Sequence, residues 1–448
     1  MDDGVEPDPL TTGDRPTRLL PTTQLARISA YWLGLTAIDT AVSLYITFQL
    51  TFSTMRGALP LGTASFLVSL GATVVAILVQ PTAGGISDYA VTKWGRRKPF
   101  IVVGSLLDLV FLFAVASANT LLALAVAVML LQFSTNLARG PFQGYVPDLV
   151  AEPQVGMASA MVGMMQIIGN VTGYALISVA AIFASRPLAI GAVAVIELVT
   201  MASVVLKVDK GPPAKPREGK SWRTIALQVW GTDILRERSF VWLVASRFFF
   251  LLVSSILFSY VAAYLRYTFG YSESGAGAVS LEMLVVVIIG NFLAVLPASR
   301  LSDRVGRKPL IYAACLIGAV GVVIVAAAPS VPIAIAGAGL FGVSQGIFLS
   351  VDWALMTDII PRASAGRYMG ISNVATGSAN LAGILVGGLV YDLTNAWIGT
   401  PDAPVAPRAA FLVGALLFGV AAWFLRPVVE PRRGRRGATP AAETATGV

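Results

Sequence analysis

The 448-residue chain has no histidine, a single cysteine, and charge on only 12% of its residues. Each shortage excludes something. Without histidine the usual proton shuttle near neutral pH is missing, and so is the commonest metal ligand. Cys315, alone inside an apolar run, can build neither a disulfide framework nor a thiolate metal cluster. No metal, no cofactor and no catalytic residue set is therefore expected. A soluble domain carries about 25% charged residues; half that amount cannot cover a water-facing surface. Together with 56% hydrophobic residues and a mean hydropathy of +0.76, this excludes a cytosolic enzyme, a disordered chain and a nucleic-acid binder. The net charge of +8 reads as loop charge facing an anionic leaflet.

What is present is a series of apolar runs. They lie at about 28–52, 61–82, 100–118, 120–144, 157–184 and 187–207, then at 239–265, 275–298, 309–328, 331–355, 368–391 and 408–426. A span needs about 20 apolar residues, and in lipid a lone span must be helical to satisfy its own backbone. The expected fold is all-α: a polytopic membrane protein of twelve transmembrane helices in two six-helix bundles related by pseudo-symmetry. The expected boundaries are a polar, disordered cytoplasmic tail at 1–26, a first bundle at 27–207 and a cytoplasmic linker at 208–238. A second bundle follows at 239–426, and a basic disordered tail at 427–448. The first tail begins acidic (Asp2, Asp3, Glu6, Asp8), unlike the basic start of a secretory signal.

Lysine and arginine set the orientation. Both tails, the linker and the loops near 84–99, 145–156, 299–308 and 358–367 carry 26 of the 32. The opposite side has Arg56, Arg186, Arg266 and Arg408, while Arg139 and Arg247 fall inside spans. This bias places both termini in the cytoplasm of a cell-membrane protein.

The halves repeat. At an offset of 210, Asp148 meets Asp358, Gly156 meets Gly366, and Asn170–Gly173 meets Asn380–Gly383. Near the same offset GRRKP at 95–99 meets GRKP at 306–309. A parallel repeat of six helices is a transporter architecture, with the site between the halves. The two basic motifs each follow an acid: Asp88 precedes Gly95-Arg96-Arg97-Lys98-Pro99, and Asp303 precedes Arg304 and Gly306-Arg307-Lys308-Pro309. Carboxylate–arginine pairs across the cytoplasmic rim would make Asp88, Arg96, Arg97, Asp303, Arg304 and Arg307 gating residues. Either copy alone also fits a plain basic loop. Gly169-x-x-x-Gly173 and Gly383-x-x-x-Gly387 read as helix-packing surfaces. Gly219-Lys220-Ser221 imitates the end of a phosphate loop, but Ala214 stands where the first glycine belongs.

With these motifs the chain resembles the major facilitator superfamily, from the first helix to about Leu425. Seven positions separate Asp88 from Gly95, against three between Asp303 and Gly306. That longer first loop, ending in GRRKPF, resembles the glycoside–cation symporters and the sucrose-transporter branch. So do Gly140-Pro141-Phe142-Gln143 with Pro147-Asp148-Leu149, and Val351-Asp352-Trp353-Ala354-Leu355 with Asp358. Tyr89 stands where those families often have arginine, and Gln143 where plant sucrose transporters have arginine. The resemblance implies two bundles that rock about a central cavity lined by helices 1, 4, 7 and 10.

Ionisable residues inside spans are costly and usually functional. One falls on each of those four helices: Asp39, Arg139, Arg247 and Asp352. Two acids and two arginines suit proton coupling through carboxylates; they equally suit ion pairs that lock helices. Asp39, midway along the first helix, reads as the deepest acid and the best coupling candidate. Arg139 or Arg247 is its expected partner, and Asp352 is the runner-up. Asp108, Glu197 and Glu282 sit on other helices and read as structural. Asn136, Gln143, Gln345 and Trp353 are the expected substrate contacts, since amides beside aromatic faces suit sugar hydroxyls and rings.

With no nucleotide site, transport must be secondary. The expected function is symport of a sugar or glycoside with protons, or with sodium, by a monomer in the lipid bilayer. Its competitor is proton-antiport export of drugs or metabolites.

Overall fold

The structure is a computed structural model that describes residues 18–57, 59–183, 185–214, 216, 219, 221, 237–359 and 365–430. Most of the expected tails and linker lies outside these. Among the described residues twelve helices are long and apolar enough to cross a membrane. In the first half they are α1 (Thr22–Phe52), α2 (Leu61–Ser87), α3 (Lys98–Ser117), α4 (Leu121–Gln143), α5 (Val155–Ile182) and α6 (Arg186–Lys207). In the second they are α7 (Arg238–Ala263), α8 (Glu273–Val305), α9 (Arg307–Ala327), α10 (Val331–Ile359), α11 (Ala365–Ile398) and α12 (Ala406–Leu425). The helices overrun the apolar runs, most clearly in α8 and α11. An apolar run marks only the hydrocarbon crossing, whereas the helix continues as long as its backbone bonds continue. For the same reason α1 begins at Thr22, before the expected boundary at 27, with Leu25 already buried.

Packing repeats between the halves. In the first, α1 packs on α5 and α6, α2 on α4, and α3 on α4 and α6. In the second, α7 packs on α11 and α12, α8 on α10, and α9 on α10 and α12. This is an all-α membrane fold of two pseudo-symmetric six-helix bundles. The bundles meet through α1–α7, α2–α11 and α5–α8.

The small-residue motifs explain part of this. A side chain at Gly169 or Gly173 would strike the α1 carbonyls of Leu33 and Ala37. At Gly383 or Gly387 it would strike Leu252 or Tyr260 of α7. The neighbouring asparagines are bonded alike: the Thr40 hydroxyl donates to Asn170 at 2.9 Å, and the Ser255 hydroxyl to Asn380 at 2.7 Å.

Candidate functional site

We term the end carrying residues 53–57 and 399–405 the upper end, and the end carrying residues 18–21 and 426–430 the lower end. Each half holds one acid–arginine pair between its first and fourth helices, the second nearer the lower end. In the first half Arg139 of α4 donates to Asp39 of α1 at 2.5 Å and to the Leu35 carbonyl at 3.3 Å. In the second, Arg247 of α7 donates to Asp352 of α10. The polarity is exchanged: the acid is on the first helix of one half and on the fourth helix of the other. Each pair lies within a half, so Asp39 is partnered by Arg139 and not by Arg247.

Their surroundings differ. The side chains of Asp39 and Arg139 are 33% and 15% exposed; those of Asp352 and Arg247 are 1% and 7% exposed. Asp39 is central along its helix, yet by burial Asp352 is the deeper acid. Arg247 also stands 5.0 Å from the Trp353 ring centre, whose side is open.

The amides divide. Gln345 is half-buried and donates to the Ser254 hydroxyl at 2.5 Å. Gln143 is half-buried at the lower end of α4. Asn136 is 1% exposed and donates to the backbone and side chain of Gln132, one turn up its own helix. In this conformation it contributes to helix packing.

The basic motifs have a local geometry common to both copies. Gly95 and Gly306 adopt φ of +94° and +93°, a left-handed conformation that favours glycine. Each reverses the chain into the next helix and delivers a lysine to the end of its bundle's sixth helix. The Lys98 amine donates to the Val205 and Val208 carbonyls, and the Lys308 amine to those of Arg426 and Val428. A cation there complements the helix dipole.

The arginines of the first copy form a network. Arg96 and Arg97 both donate to Asp148, at 2.7 and 2.6 Å, and Arg97 also to Asp88 at 3.1 Å and the Pro141 carbonyl at 2.8 Å. These bonds tie α2, α3 and α4 together within one half rather than across the rim. In the second copy Arg304 is exposed and Arg307 is buried. The Asp303 side chain and Asp358 side chain lie outside the described residues.

The upper end holds bonds that cross between the halves, and sequence reasoning missed them. Arg56 donates two hydrogen bonds to Asp402, one at 3.1 Å, and Tyr391 donates to the same carboxylate at 2.9 Å. Burial pushes the Asp402 carboxyl up, but the bonds from Arg56 and Tyr391 outweigh it and hold it below its usual value. Asp392 of α11 accepts from the Gly62 and Thr63 amides at 3.0 and 2.8 Å, capping α2 from the other half. Gly62 and Gly388 meet backbone to backbone: a side-chain carbon at Gly62 would lie 2.3 Å from the Gly388 carbonyl oxygen. Arg266 donates to the Thr51 carbonyl at 2.9 Å. Toward the lower end, Gly156 and Gly163 of α5 and Gly377 of α11 face open space. The one hint in the sequence was the scarcity of Arg56 and Arg266 on that side.

Comparison with known proteins is consistent with this geometry. The solved structure of the nucleoside transporter NupG is similar with a TM-score of 0.65 and 15% identity, over 90% of this chain and 98% of that one. A bacterial homologue of the lysosomal transporter Spinster, in an inward-facing and occupied conformation, is similar with a TM-score of 0.63 and 14% identity, over 90% and 95%. These likenesses concern the fold. Among curated proteins, a stretch is 28% identical to the general alpha-glucoside permease of Schizosaccharomyces pombe over 126 residues, 25% of this chain and 23% of that one. Another is 26% identical to the sucrose transport protein SUC4 of Arabidopsis thaliana over 117 residues, 22% and 23%. The matched stretches thus span about a quarter of these relatives. The family model of the Major Facilitator Superfamily matches residues 28–291 and 276–446. The chain belongs to the major facilitator superfamily.

Proposed function

We propose that this multi-pass membrane protein is a proton-coupled symporter that brings a sugar or glycoside into the cell by alternating access. The observation that carries this is the mirrored placement of two acid–arginine pairs on the first and fourth helices of each half. An acid that exchanges arginine for a proton can load and release that proton as the halves rock. Sodium is the other ion a carboxylate site could use. The sugar reading is supported by the names of the relatives with matching stretches and by Gln143, Gln345 and Trp353 on the same helices.

The charge bias makes the lower end cytoplasmic. The bonds at the upper end then make this conformation inward-facing, closed to the outside by Arg56–Asp402 and the Asp392 cap. In this reading the Asp88–Arg97–Asp148 network stiffens the first bundle so that it moves as one body, and the bundle is complete in a monomer.

The test is uptake by proteoliposomes under an imposed proton gradient, screened over sugars and glycosides. Accumulation of a sugar that collapses with a protonophore is expected. Gradient-driven loss of a drug or metabolite, with no sugar accumulation, would replace symport with antiport export.

A further inference from the structure

Behind the cavity pair of the first half lies a second group of polar residues, sealed between α1, α3, α4 and α6. Its acids are Asp108 of α3 and Glu197 of α6, both 0% exposed. Their carboxyl groups face each other within hydrogen-bonding range. Every group around them is accounted for. Asp108 Oδ1 accepts from the Ser134 hydroxyl and, at 2.8 Å, from the Thr135 hydroxyl of α4. Glu197 Oε1 accepts from the Tyr31 hydroxyl of α1 at 3.3 Å, and Tyr31 is 2.5 Å from the Ser105 hydroxyl of α3. Arg139, already bonded to Asp39, is a cation in electrical reach of Asp108. Gly34 lets α1 approach α6 closely beside Glu197.

One oxygen of each acid, Asp108 Oδ2 and Glu197 Oε2, is buried and has no protein donor. Two ionised carboxylates cannot sit together in a dry site without a bridging cation, because each raises the cost of the other's charge.

We propose that Asp108 and Glu197 share one proton, forming a buried proton-binding site outside the transport cavity. The pair is then a monoanion. Arg139 lies between two negative groups: Asp39, open to the cavity, and this monoanion behind it. When Asp39 takes a proton, Arg139 keeps a counterion and is never left as a lone buried charge. The site thus gives Asp39 the freedom to titrate without unfolding the bundle. This inference concerns proton occupancy and stands whether or not the solute is a sugar.

Infrared difference spectroscopy on the purified full chain tests it, at neutral pH in potassium buffer, with the Asp108→Asn, Glu197→Gln double variant and with Asp39→Asn. The expected result is a protonated-carboxyl stretching band in the wild type and in Asp39→Asn that the double variant lacks. Loss of ionised-carboxylate absorption alone in the double variant would overturn the proposal, because both acids would then be charged. So would absence of the band from the wild type, since the pair would then hold no proton. If the double variant does not fold, Glu197→Gln replaces it. The glutamine amide then donates to an ionised Asp108 and the band is again expected to vanish; a band that persists would overturn the proposal.

Discussion

The two acid–arginine pairs have the same chemistry and opposite settings. Asp39–Arg139 is partly exposed, while Arg247–Asp352 is nearly sealed. An ion pair open to water gains and loses its partner cheaply, because solvent replaces the lost contact. A sealed pair is held in place by the cost of leaving either charge alone. In the proposed function the more exposed pair is the one that opens during transport, and the sealed pair holds its half together. Trp353 lies with its ring centre 5.0 Å from Arg247 and is 40% exposed.

Breaking each pair separately probes this difference most strongly. Asp352→Asn should lower unfolding free energy by about 3–5 kcal/mol, as expected for an orphaned buried charge. Asp39→Asn should cost about 0–1 kcal/mol, as for a solvated pair. Thermal unfolding in detergent measures both, and equal losses would erase the distinction. Replacing both members of the sealed pair by apolar residues, Arg247→Met with Asp352→Leu, should recover most of the stability lost in Asp352→Asn, since no charge is then stranded.

A smaller effect separates the halves as substrate surfaces. Gln143→Ala and Gln345→Ala should each raise the apparent KM for a transported sugar about tenfold, or ~1.4 kcal/mol, if a sugar hydroxyl is left unpaired. A change in one alone would assign recognition to that half, and the uptake curves decide it. The smallest effect concerns the upper end. Because Asp402 is held below its ordinary value of 3.8, its contribution to closure is present above that pH and is lost as pH falls through the lowered value. Thiol labelling of a cysteine placed near residue 59 should thus rise only in strong acid. In Arg56→Ala, where the cause of the lowering is removed, it should rise at a milder pH.

Much of this was legible in the sequence. Twelve apolar runs sufficed for the helices, because a spanning helix must be both apolar and long. The offset of 210 located the repeat, and with it the glycine–arginine–lysine turns at Gly95 and Gly306 and the packing glycines of α5 and α11. The four charges on the first and fourth helices were also visible, since charge in a span stands out. Their pairing was not: both arginines were open to Asp39, and only the backbone course puts Arg139 beside it. The rim reading of Asp88 missed Asp148 as the hub because its bonds depend on how α4 ends. Asp392 and Asp402 were missed altogether. They lie far along the chain from Gly62 and Arg56, and nothing local marks them. Asp108 and Glu197 were read as structural, but a pair of acids without a cation was not foreseen, since α3 and α6 meet only in the folded bundle.

The central claim is that Asp39, and not Asp352, is the acid that couples transport to protons. The most direct measurement compares two assays on Asp39→Asn proteoliposomes: accumulation driven by a proton gradient, and exchange of labelled for unlabelled solute with no gradient. If Asp39 is the coupling acid, accumulation is lost while exchange continues near the wild-type rate. Accumulation that persists in Asp39→Asn, or loss of exchange together with it, would contradict the claim.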